Sequence, residues 1–187
     1  MFVSMSDPAQ KTAVIVRPRP KQLQFQVSYL ADEDRMLLRA SFPSGQSMAV
    51  WLTRRVTFGL FEGAEAISGI TQPAAPREVK KAIGEFERQA AVAKADTKTP
   101  FQPAAPHPSL GDDIKLVVRV TLTAEGDKLV KVVFATKDKL DLGFTVPRTS
   151  FLQLWATMEK IVAEQSGWSS GTMPSAAGLV PASATRH

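Results

Sequence analysis

Apolar and polar residues alternate along the first third of the chain. Leu23, Phe25, Val27 and Tyr29 fall on one side and Gln24, Gln26 and Ser28 on the other, the pattern of a strand with one wet face. A polar turn at residues 31–34 follows. Alternation resumes from Met36 to Phe42, a turn carrying Pro43 and Gly45 interrupts it, and a third strand spans residues 47–52. The period then lengthens to that of a helix, with Thr53 placed to cap it and Phe58, Phe61 and Ile67 facing the sheet.

The same construction returns later. Residues 23–68 and residues 115–165 each read as three strands and a helix joined by short connections, an antiparallel meander followed by a helix. In the third strand and helix, Val50, Leu52, Arg54, Leu60, Phe61, Ala64 and Ile67 fall on Phe144, Val146, Arg148, Leu154, Trp155, Met158 and Ile161 at a constant offset of 94. The second strand keeps that offset, with Met36, Leu38 and Ala40 on Val130, Val132 and Phe134. The first strand shifts to 93, which sets Phe25, Val27 and Tyr29 on Val118, Val120 and Leu122. The second helix has Thr149 or Ser150 as its cap and turns Leu152, Trp155, Met158 and Ile161 inward. The expected fold is α+β: two βββα units related by an internal pseudo-two-fold duplication.

Prolines and small residues mark the joints. Residues 1–21, with Arg17-Pro18-Arg19-Pro20, predict a flexible basic arm holding at most a short strand at residues 13–16. Unit one then occupies residues 22–70 and unit two residues 115–166. Between them residues 71–114 read as a Pro-rich linker containing a helix over 77–95, started by Pro76 and carrying a narrow apolar stripe, Val79, Ile83, Phe86, Ala90 and Val92, that packs on a neighbour. Residues 167–187, rich in Ser, Gly and Pro, read as a disordered tail.

By parity, the outward sheet face carries Leu37, Arg39 and Trp51 in unit one and Val117, Arg119, Lys131 and Val133 in unit two. Leu37, Trp51, Val117 and Val133 do not belong in water as a group. They imply internal packing, a second copy of the chain, or another partner.

Composition narrows the chemistry. The chain of 187 residues is 44% hydrophobic, enough for one good core or two small ones, and no run approaches the length needed to cross a bilayer. No membrane association and a cytoplasmic location are expected. The absence of cysteine excludes disulfides, thiolate metal sites and thiol nucleophiles. The net charge of +5 is spread along the chain, so no segment forms a concentrated basic domain. His107 lies in the Pro-rich linker and His187 at the end of the chain, poor places for a metal ligand or general base. There is no Gly-rich phosphate loop, and the acidic clusters at residues 32–34 and 112–113 sit in turns. No catalytic residues, metal or cofactor are expected, and the chain does not read as an enzyme.

Arg54, Arg55 and Arg148 open the two helices. Guanidiniums there tie the strand end to the helix start, or, with the helix N-terminal amides, receive an anion. The expected layout resembles that of single-strand nucleic-acid binders of the whirly and PUR type, which pair four-stranded repeats of a meander and a helix. The resemblance is one of architecture and implies single-stranded DNA or RNA as a partner. The leading expectation is a non-enzymatic binding or assembly protein, with the outward face held by a protein partner or by a second copy.

Overall fold

The computed structural model describes residues 20–67, 75–96, 98–107, 110 and 113–168. The fold is α+β, a seven-stranded sheet and three helices among the described residues. Strands β1 (Gln24–Leu30), β2 (Arg35–Ser41) and β3 (Gln46–Thr53) form a meander that runs directly into helix α1 (Arg54–Ile67). Helix α2 (Arg77–Ala93) and the two-residue strand β4 (Ala105–Pro106) follow. A second meander, β5 (Lys115–Glu125), β6 (Leu129–Thr136) and β7 (Asp141–Pro147), runs into helix α3 (Arg148–Ile161) and a π-helical turn, Val162–Ser166.

The strand order is β1-β2-β3-β5-β6-β7, so the meanders join head to tail through parallel pairing of β3 with β5. Only three residue pairs make this junction, Val50 with Lys115, Trp51 with Leu116 and Leu52 with Val117. A two-fold axis in an open sheet would instead set β3 against β7. The two ends of the sheet approach each other: α3 touches β1 as well as β6 and β7, and the Phe42 and Phe144 rings lie 5.6 Å apart.

One face of the meander strands supplies the core. Met36, Leu38, Val50, Leu52, Val117, Val130, Val132, Phe134 and Val146 are all at most 1% exposed. The helices close over them. On α1 the buried line is Val56, Leu60 and Ala64, spaced four apart, while Phe58, Phe61 and Ile67 pack at its margin. Gly63 is what lets α1 sit so low on β5, since a Cβ there would come within 3.2 Å of the Leu122 side chain. On α3 the expected inward residues Leu152, Trp155, Met158 and Ile161 are all buried. Thr53 caps α1 through its hydroxyl, which accepts from the Val56 amide at 3.4 Å. Neither Thr149 nor Ser150 caps α3; Pro147 stands at that position with no side-chain cap.

Three expectations change. Most of the apolar stripe of α2 stays open: Phe86 is 72% exposed and Val79 and Val92 are also exposed, while Ile83 and Ala90 are partly covered. The helix packs on α3 through its opposite face, where Gly84 and Ala91 are buried, Arg88 stacks 4.4 Å over the Trp155 ring, and the Gln153 amide donates to the Ala91 carbonyl. The segment after α2 is pinned across the foot of the first meander, with the Gln102 amide donating to Gln24, the Ala104 amide to the Ser41 hydroxyl, and the Ser47 hydroxyl to the Ala104 carbonyl. Finally, Trp168 belongs to the fold. Gly167, at φ 63°, turns the chain back after the last helical turn, and Trp168 is buried against Tyr29 and Phe58. The residues expected as a disordered tail lie, from 169 onward, outside the described residues, as does the arm up to residue 19; Pro20, assigned to that arm, is buried.

Candidate functional site

Cross-strand pairing decides which outward side chains meet. Leu37 stands between Ser28 and Trp51, Arg39 between Gln26 and Ala49, and Trp51 reaches the second half beside Leu116. On that half Thr121, Val133 and Gly143 form one row and Thr123, Lys131 and Thr145 the next. Arg39, Trp51, Arg119, Lys131 and Val133 therefore share the face turned away from the helices. Arg119 and Lys131 are exposed, while Trp51, Arg39 and Val133 are partly covered. The Arg39 guanidinium donates to the Gln26 side chain at 3.3 Å.

Two members of the predicted set do not present a binding surface. Leu37 points outward but is 5% exposed, so little of it reaches solvent. Val117 points inward and is wholly buried in the core. The cause is an irregularity in β5 between Val117 and Arg119, which puts an extra residue into the strand and reverses parity along it. The inward residues of β5 are consequently Val117, Val120, Leu122 and Ala124, and Val118, expected inside, is 39% exposed beside Arg119. Leu129, 41% exposed at the start of β6, lies at the end of the same face. Periodicity alone misses Val118, whose side depends on where the irregularity falls; Leu129 follows the alternation of Lys131 and Val133 one step before the expected start of the strand.

The helix-opening arginines separate. The Arg148 guanidinium is buried, pairs with Glu87 of α2 at 2.8 Å, and donates to the last carbonyl of α1, Ile67, at 3.2 Å. Its backbone amide donates to the Lys128 carbonyl at 2.7 Å. Arg148 thus fastens three helices and a turn to one another. Arg54 is partly buried near Asp34, whose carboxylate accepts from the Trp168 indole and from the Tyr29 hydroxyl. These two donors, and less strongly Arg54, hold Asp34 below its ordinary pKa. Arg55 is exposed on the next position of the helix.

Two clefts lie among these elements. One, of about 210 Å³, runs between β1 and α3 and is lined by Gln24, Phe25, Asp96, Thr99, Phe101 and Gln153. Its only carboxylate, Asp96, is occupied by the Lys98 and Thr99 amides and the Thr99 hydroxyl, the last of which does most to lower its pKa. The other, of about 450 Å³, is mainly apolar and opens where the β2–β3 turn approaches β7, between Phe42, Met48, Leu110, Leu142 and Phe144. His107 lines it, and its backbone is tied to Ser47. Among the described residues no three histidine, aspartate or glutamate side chains gather to hold a metal ion, and no helix is long and apolar enough to cross a membrane. Comparison with family models, with curated proteins and with solved structures finds no match for this chain.

Proposed function

We propose that this chain is a non-enzymatic binding protein whose outer sheet face, from Arg39 and Trp51 across to Arg119, Lys131 and Val133, holds a protein partner or a second copy of the chain. The observation that carries this reading is the exposure of Val118 and Leu129 on the same face as Trp51, on the side of the sheet away from the helices. Apolar side chains interleaved with cations, and flanked by threonines, have the mixed character of a non-obligate interface. Light scattering on eluted protein, repeated with Trp51→Ala and Val118→Asp, tests it. The expected result is an assembly that both substitutions weaken at unchanged melting temperature. A strict monomer whose Trp51→Ala form binds everything the parent binds would sink the reading.

The framework behind this face is, in the same proposal, a duplicated βββα unit. Helices α1 and α3 are the same length and follow their third strands at once. The pairs Met36–Leu52, Leu38–Val50 and Ala40–Met48 recur as Val130–Val146, Val132–Phe144 and Phe134–Leu142. Helix α1 leaves β3 and lies on β5, and α3 leaves β7 and reaches β1. Arg148 receives the end of α1, just as Arg54 stands by the residue that holds Trp168 after α3. This supports a two-fold along the axis of the curled sheet.

A second reading, single-stranded DNA or RNA binding, is favoured by Trp51 sharing a face with Arg39, Arg119 and Lys131. Stacking of a base on one tryptophan is worth roughly 1–3 kcal/mol, and the three cations would give a salt dependence. Fluorescence anisotropy with labelled oligonucleotides at low salt checks it, and no binding there ends it.

A further inference from the structure

Helix α2 turns its small residues toward the fold and its largest apolar one away from it. Gly84 and Ala91 are buried on the α3 side, while Phe86 is 72% exposed and Val79 and Val92 are close to half exposed. The exposed side has a period of its own. Val79, Phe86 and Ala93 recur every seven residues, with Ala82 and Gln89 between them, so these five residues form one seam along a helix of 17 residues, about 25 Å. Such a seam fits another helix of like length. It also carries its own complement, because Ala82, one turn before Phe86, leaves the space that a facing phenylalanine needs.

Charge selects the direction in which a second helix can lie. The first turns of α2 hold Arg77, Lys80 and Lys81 against one acid, Glu78, and the turn that follows holds Glu85 and Glu87. Two copies running the same way would set the basic turns side by side. An antiparallel copy, centred between Ile83 and Gly84, instead sets Lys81 beside the partner's Glu85, Glu78 beside the partner's Gln89, and Phe86 over the partner's Ala82. Glu85 can take part: its carboxylate accepts from Arg88 and Gln89, and its side chain is still 46% exposed. A register centred on Phe86 would bring Lys80 close to the partner's Lys94, so charge fixes the register as well.

We propose that this chain forms a two-fold dimer through α2, the two helices antiparallel and crossing near Ile83, with Phe86 of each chain seated on Ala82 of the other. The occupant of the stripe is a second copy because one helix supplies both sides of every contact. This pairing is independent of the outer sheet face, since α2 packs on α3, on the helical side of the sheet. One helix per chain makes a contact at the small end of specific interfaces, so assembly rises with concentration.

Sedimentation of the full chain over a concentration series tests it. A monomer–dimer equilibrium is expected, and Phe86→Lys, which keeps a good helix former at an exposed position, should weaken it about tenfold or more. Lys81→Glu and Glu85→Lys should each weaken it about threefold. Mixing these last two variants in equal amounts should restore the dimer, because only the mixed pair sets opposite charges at both contacts; a change in the stability of one helix gives no rescue between chains. Because the chain has no cysteine, Ala82→Cys should oxidise to a covalent dimer and Ala93→Cys should not. A monomer at every concentration, a dimer that Phe86→Lys leaves intact, or ready cross-linking of Ala93→Cys, the sign of parallel helices, each overturns the proposal. A dimer lost with Trp51→Ala and Val118→Asp but kept with Phe86→Lys would place the second copy on the sheet face and remove the helix pair alone. The opposite response upholds the helix pair whatever the sheet face binds.

Discussion

Arg54 and Arg148 occupy the same position in the two halves, one residue past the third strand, yet their surroundings differ. Arg148 has a carboxylate from α2 and a carbonyl from α1 on its guanidinium, and its side chain is 9% exposed. Arg54 stands close enough to Asp34 to act on its charge, and that carboxylate is already held by Tyr29 and Trp168. The first half is therefore fastened by an aromatic latch from the residue after the last helical turn, and the second by a buried ion pair with the connecting helix. A repeated arginine marks a repeated location in the fold. Its energetic role is set by whichever other segment packs there.

The widest separation between the halves should come from Arg148→Ala. It removes the buried guanidinium that Glu87 and the end of α1 share, and removing one member of a buried pair costs about 3–5 kcal/mol; with Glu87 still a quarter exposed, about 3 kcal/mol is expected in urea unfolding, with no dependence on phosphate or sulfate. Recovery of the wild-type melt by sulfate would restore the anion-site reading. Next comes Trp168→Ala. A buried tryptophan costs about 3–5 kcal/mol to truncate, but this one ends the described fold, so a loss of about 2 kcal/mol is expected, together with faster exchange in β1. Ending the chain at Gly167 should lose the same amount. If neither change moves the melt, the latch is not closed in solution and the comparison collapses.

Arg54→Ala should cost about 1 kcal/mol or less, as befits a partly solvated charge whose neighbour keeps two other donors. A loss as large as that of Arg148→Ala would make the junctions energetically alike. The smallest effect is in pH. Asp34 is held below its ordinary value by the Trp168 indole first and the Tyr29 hydroxyl second, so its contribution is complete above the unfolded carboxyl pKa and disappears as pH falls through the lower folded one. Trp168→Phe keeps a ring and removes the indole donor. Its stability deficit relative to the parent should be constant near neutrality and shrink below about pH 4, as thermal melts over an acid series would show.

The pairings of β2 with β3 and of β6 with β7 were legible because each strand keeps strict alternation and each turn is short, so parity and register come together. β5 was not. Val117 and Val118 are both valines, and no pattern of apolar residues distinguishes a straight strand with Val118 inside from an irregular one with Val117 inside. The direction of α2 failed for a related reason. Phe86 and Val79 outweigh Gly84 and Ala91 in hydrophobicity, yet close approach to α3 selects the small residues and the flat stack of Arg88 on Trp155. Trp168 was hidden by its serine- and glycine-rich surroundings, and the β3–β5 junction by its brevity, since three parallel pairs leave no periodic trace. Of the candidate face, Arg39, Trp51, Arg119, Lys131 and Val133 share the outer side of the sheet as parity required, and Val117 is lost to the core.

That three-pair junction also bears on the order in which the protein assembles. Each meander consists of neighbours in sequence, so its hairpins form on the timescale of local chain motion. Joining β3 to β5 first requires closing a loop that contains all of α1, α2 and β4, and the entropy of that closure is lost before any of the three rungs compensates for it. The two meanders should therefore meet as largely formed pieces, with their docking setting the folding rate. Substitutions inside a single hairpin would then act mostly on that hairpin's own stability, while changes at Trp51, Leu52 and Val117 would slow the encounter itself.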